Sequence, residues 1–118
     1  MTKEILPENC YFAEISRFNE NGIGECGWGF YVNPERCGAF TVEFAKELLD
    51  WGTKEYKTRF HKDVDFNWIR LKMDNKIGRY HRDKNRLLIF QDGVPIYGNF
   101  NGEICRDSVA LADTLALL

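Results

Sequence analysis

Long apolar runs are missing from this sequence: nothing in it approaches the roughly 20 consecutive apolar residues that a membrane-spanning helix needs. The opening residues, MTKEILPENC, carry neither the basic start nor the apolar core of a secretory signal, so a cytoplasmic protein with no membrane partner is expected. The four cysteines (Cys10, Cys26, Cys37, Cys105) stand 16, 11 and 68 positions apart. None forms the C-x-x-C pair of zinc ribbons and redox motifs, and reduced, mostly buried thiols are expected.

Repeats, proline-rich linkers and Gly/Ser runs are also absent, which leaves one continuous domain over 1–118. No G-x-S-x-G, H-E-x-x-H or kinase-like pattern occurs. Gly22, Gly24, Gly27 and Gly29 imitate a dinucleotide fingerprint, but they lead into a strand rather than a helix. The residues therefore favour a non-catalytic protein and imply no cofactor.

What is present is the composition of a folded domain: 44% hydrophobic, 29% charged and a generous 14% aromatic over 118 residues. Net charge is only −2, yet it is laid out in blocks. Residues 1–53 hold four Lys/Arg against nine Asp/Glu, residues 54–86 eleven against five, and residues 87–118 one against four. An acidic chain thus carries a basic middle third, and neighbouring strands tend to keep such a block together as a patch.

Local patterns predict an α+β fold. NCYFAEISRF (9–18), the turn NENG (19–22) and IGECGWGFYV (23–32) read as an N-terminal β-hairpin. In its second arm Cys26, Trp28, Phe30 and Val32 share one face, and Gly27 and Gly29 leave the other face bare, a strip expected to be covered by a helix. One amphipathic helix follows at about 41–51, with Thr41 as its cap, Phe44, Ala45, Leu48 and Leu49 as its stripe, and Gly52 at its C-terminal end. TKEYKTRFHKDVD (53–65) has no firm stripe and reads as a basic, partly helical connection.

Four strand-like runs at 66–73, 77–82, 86–91 and 94–100 predict a four-stranded antiparallel meander, with Asp-Gly at 92–93 suited to a type I′ turn. DSVALADTLALL (107–118) predicts a C-terminal helix packed on the sheet and capped at Asp107 or Ser108. This helix is apolar almost all round. Burial is the first reading, and a homodimer contact through Leu117 and Leu118 the second.

Three-residue loops at 74–76 and 83–85 sort the meander into two faces. Ile69, Leu71, Met73, Ile77, Leu87, Ile89, Val94 and Ile96 form the core face. Trp68, Arg70, Lys72, Tyr80, Arg82, Arg86, Leu88, Phe90 and Tyr97 form the other. Trp68, Arg70, Lys72, Tyr80, Arg82, Arg86 and Tyr97 are the candidate binding residues on it, because aromatic and arginine side chains dominate protein hot spots and also serve single-stranded nucleic acid. The register has one flaw, since it puts Arg79 and His81 among the apolar residues.

The leading expectation is a small stoichiometric binding protein, an inhibitor or neutralising partner of a larger protein, of the immunity or anti-defence type. A single-stranded nucleic-acid binder comes second. A metal-dependent hydrolase using His61, Asp63, Asp65 and His81 comes third, because alternate positions in HKDVD point one way on an extended chain yet lack a convincing fourth ligand. No metal site or catalytic residue is assigned.

Overall fold

The computed structural model describes residues 11–18, 24–36 and 39–115. The architecture is α+β: strands β1 (Tyr11–Phe18), β2 (Gly24–Val32), β3 (Trp68–Lys72), β4 (Lys76–His81), β5 (Arg86–Gln91), β6 (Val94–Phe100) and β7 (Glu103–Cys105), with helices α1 (Val42–Phe60) and α2 (Ser108–Leu115). All seven strands join one antiparallel sheet in the order β2-β1-β3-β4-β5-β6-β7. Hairpin and meander, expected as separate pieces, are fused where β1 pairs with β3. The meander also gains a fifth strand, β7, which Asn101-Gly102 turns back on β6. Both residues of that turn have positive φ, as do Asp92 and Gly93 in the turn before β6. Asn-Gly and Asp-Gly adopt this type I′ geometry most readily, and its twist matches that of the strands.

Helix α1 is nearly twice as long as expected. Thr41 does cap it, its Oγ1 accepting the Phe44 N–H at 3.1 Å, but the helix runs through Gly52 and ends at Phe60, with His61 in the left-handed region. Gly52 lies inside the buried stripe of Ala45, Leu48 and Leu49 rather than at its end. A Cβ there would sit 2.6 Å from Ile15 Cδ1 and 2.7 Å from the Phe30 ring. The glycine lets the helix axis approach β1 and β2, and it erases one apolar position from the pattern. That gap hid the continuation of the stripe through Tyr56 and Phe60, whose rings pack edge-on against Phe66 and Trp28 at 5.2 and 5.4 Å.

The core lies between α1 and one sheet face. Ala13, Ile15, Val32, Ile69, Leu71, Tyr80 and Leu87 from the strands meet Ala45, Leu48 and Leu49 from the helix, with Phe40 and Phe66 closing the sides. Helix α2 docks on the opposite face, against β6. Gly98 makes this possible, because a Cβ there would meet Leu111 Cδ2 at 2.6 Å. The helix is tied down by Ser108 Oγ donating to Pro95 O at 2.7 Å and capped by Asp107, whose Oδ1 accepts the Val109 N–H at 3.0 Å. Leu111 is fully buried and Val109 is exposed. Leu117 and Leu118, the expected dimer contact, lie outside the described residues. No described helix is long and apolar enough to cross a membrane.

Gly52→Ala tests the close approach. The substitution adds helix propensity worth about 1 kcal/mol, but overpacking costs about 1–3 kcal/mol. Net destabilisation in urea unfolding is the expected outcome; a gain in stability would mean that α1 shifts freely on the sheet.

The open basic and aromatic sheet face

Pairing residues sum to 149 between β3 and β4 and to 167 between β4 and β5, one less in each case than three-residue loops require. The first turn is closed by Met73 N–H donating to Lys76 O at 2.9 Å, which leaves only Asp74 and Asn75 in the loop. Each one-residue change flips β4 relative to a neighbour, so β4 is inverted between β3 and β5, which keep their expected sides. Arg79 and His81 therefore leave the core, and Tyr80 enters it.

This corrects the candidate set. Trp68, Arg70, Lys72 and Arg86 do share one face, the face that α1 does not cover, and Arg79, His81, Ile77, Leu88 and Phe90 stand beside them. Tyr80 is on the helix side and 1% exposed, where burial pushes its phenol pKa up. Tyr97 pairs with Ile89, also on the helix side, and carries the Arg106 guanidinium 5.4 Å from its ring centroid. Arg82 lies in the β4–β5 turn and is taken up in ion pairs. The clue to this register was the misplaced Arg79 and His81, since a loop shorter by one residue turns both away from the core.

From β1, Phe12, Glu14, Ser16 and Phe18 join the open face, because Glu14 lies opposite Arg70 and Ser16 opposite Trp68. The bare strip on β2 belongs here too. At Gly29 it is covered by a ring rather than by a helix: Phe12 lies there, and a Cβ would come within 2.6 Å of its Cζ, whereas a Cβ at Gly27 would meet nothing nearer than Ile15 O and Ser16 Oγ at 4.0 Å. Phe18 stacks on Trp68 with centroids 5.0 Å apart and planes at 23°. Among the described residues of β1, β3, β4 and β5, Glu14 is the only acid on this side, and it binds Arg70 at 2.9 Å. Arg79 stands directly across from Arg70. Burial and the Arg70 charge both lower its pKa, and its guanidinium rests 5.1 Å from the Phe90 ring centroid.

One edge of the face is anchored by a buried amide. Asn67 is 1% exposed. Its Oδ1 accepts the Phe18 N–H at 2.8 Å, and its Nδ2 donates to Phe18 O at 3.0 Å and to Asp83 Oδ2 at 2.8 Å. Around it, Arg82 binds Asp65 at 2.8 Å and Arg17 reaches Asp65 and Asp83 at 3.4 and 3.8 Å. Burial opposes the charge on Arg82, but the hydrogen bond and charge of Asp65 outweigh it and raise the pKa. The Asn67 hydrogen bond holds Asp83 below the usual carboxylate value.

These contacts bear on the metal-site expectation. Asp63 pairs with Lys57 at 3.0 Å, Asp65 is held by Arg17 and Arg82, and His61 ends α1. No group of three or more His, Cys, Asp or Glu residues able to hold a metal occurs among the described residues. His81 stands apart from that set, across from Trp68 on the open face. Comparison of the chain with protein-family models, with curated proteins and with solved structures returns no match.

Two outcomes follow from this geometry. Asn67→Ala strands the backbone groups of Phe18 and should cost on the order of 2–4 kcal/mol in chemical unfolding; a loss below 1 kcal/mol would mean that β1 pairs with β3 without the clamp. Stability should also fall with acid in two windows. Burial, then the charge of Lys84, lowers the His81 pKa from 6.5, so stability present above that pH declines as the unfolded chain takes up the proton first. Asp83 is lowered from 3.8, so its contribution is full above that value and disappears as pH drops through the folded pKa. Thermal melts of His81→Gln and Asp83→Asn across pH 2–8 should each flatten one window; unchanged profiles would contradict both assignments.

Proposed function

We propose that this protein is a non-catalytic, stoichiometric binding protein that holds an acidic surface of a larger protein on its open sheet face, and so blocks or neutralises that partner. The observation that carries this reading is a sheet face on which cations outnumber acids. Arg70, Lys72, Arg79 and Arg86 share it, with Glu14 as the one acid on β1, β3, β4 and β5. Cross-strand like charges destabilise a sheet, so the Arg70–Arg79 pairing is a cost that an anionic partner would relieve. Trp, Tyr and Arg are the usual anchors at protein interfaces.

The ring geometry favours a protein over single-stranded nucleic acid. A nucleic-acid platform needs free π-faces on which bases can stack. Here Phe18 and Trp68 stack on each other, Arg79 lies over Phe90, and Phe12 is used to cover Gly29. Nucleic-acid binding is the second reading, and the experiment below separates it.

Tagged protein captured from its own cells, with and without nuclease, should retain a protein partner in both arms. Lys72→Glu/Arg86→Glu should weaken that capture by tenfold or more, equivalent to about 1.4 kcal/mol, with no loss of melting temperature beyond that of a surface change. Recovery of nucleic acid alone, lost as salt rises, would replace this reading with the second.

A further inference from the structure

At the end of the open face opposite Asn67 lies a cavity of about 340 Å³, between the β3–β4 and β5–β6 turns. The two turns are locked together by Asp92 N–H donating to Asn75 O at 3.1 Å. Lys72, Lys76 and Arg79 bring three cations to its lining, and Ile77 and Phe90 supply apolar surface. Asp74 and Asp92 also line it. None of the three cations has a carboxylate partner among the described residues. Arg79 is the most constrained, held over Phe90 at 5.1 Å and facing an Arg70 whose own charge is already met by Glu14.

We propose that this cavity is the anchor point of the interface and takes a single Asp or Glu side chain from the partner, with Arg79 as the group that binds it. This rests on the reading of the open face as a protein-docking surface. A carboxylate entering here meets a guanidinium fork held in place by an aromatic ring, a geometry suited to two-point hydrogen bonding. Its arrival offsets the Arg70–Arg79 repulsion, which gives the free protein a reason to bind an anion and gives the anion a reason to choose this site. The methylene stem of a glutamate finds Ile77 and Phe90. The two aspartates repel a phosphate chain passing through, while the cation excess still accepts one carboxylate.

The test uses the full chain at low ionic strength, titrated with poly-L-glutamate and, separately, with oligothymidylate. Expected results are saturable binding of poly-L-glutamate, a loss of tenfold or more in Arg79→Gln, a smaller loss in Arg79→Lys, and no change in Lys54→Gln, an exposed residue of α1. The melting temperature of Arg79→Gln should hold or rise, because the like-charge contact is gone. Should that variant fail to fold, Lys72→Gln/Lys76→Gln at exposed positions carries the same test with an expected loss of threefold or more. Equal binding by wild type and Arg79→Gln, with loss in Lys72→Glu/Arg86→Glu, overturns the Arg79 anchor and leaves the docking face standing. Equal binding by all these variants overturns both. No binding of poly-L-glutamate overturns the carboxylate site, while docking is judged by the capture experiment. Oligothymidylate binding that is lost in Arg79→Gln assigns the cavity to phosphate and overturns the proposal.

Discussion

The pairing of Asn67 with Phe18 joins residues 49 positions apart and turns two local hairpin systems into one sheet. A side-chain amide there presents an acceptor and a donor in the spacing of a neighbouring strand, so β1 is satisfied beyond the point where β3 begins. The second Nδ2 proton goes to Asp83, and the backbone of Asn67 donates to Ser16 O at 3.1 Å and accepts from Arg82 N at 2.8 Å. A buried amide with every group used is worth far more to the fold than its gross polarity suggests, because any partner lost leaves a bare donor or acceptor in the interior.

Once β1 is fixed between β2 and β3, the two sides of the slab acquire different fates. The molecule measures 41 × 34 × 22 Å. Helix α1 covers β1, β2 and β3 on the core side, drawn in by Gly52, and α2 seats Leu111 against β6 on the other. Trp68, Arg70, Lys72, Arg79 and Arg86 collect on that second side, beside the edge on which α2 packs. The basic block of residues 54–86 is divided by this arrangement. Lys57, Arg59 and Arg82 form ion pairs at the edges, and Arg70, Lys72, Arg79 and Arg86 stand on the open face, where Arg70 is paired with Glu14.

Much of the fold was legible because the relevant chemistry is local. Thr41 as a helix cap, Asp-Gly as a type I′ turn and the four runs between 66 and 100 depend on residues a few positions apart. The misses share one cause as well. Gly52 reads as a helix end when only its neighbours are considered, but it is a helix interior because Ile15 and Phe30 press against it. Asn101-Gly102 carried a hairpin signal as strong as Asp92-Gly93, and β7 was overlooked because three residues are too few to show alternation. Of the candidate residues, Trp68, Arg70, Lys72 and Arg86 come together on one face beside Arg79, which the expected register turned inward, whereas Tyr80, Arg82 and Tyr97 lie elsewhere.

By itself the sequence determined the α+β class, the first hairpin, the start of the long helix and the concentration of cations between residues 54 and 86. Those features follow from side-chain period, capping chemistry and charge, each of which acts over one turn or one strand. Only tertiary structure decided which face of β4 looks outward, which glycine is a contact rather than a turn, and that a buried asparagine links hairpin to meander. Strand register has a period of two residues, so a loop one residue shorter reverses every side chain of β4. Long-range packing settles that choice: Tyr80 fills the core between Ile69 and Leu87, and Arg79 is left facing outward, with no carboxylate partner among the described residues.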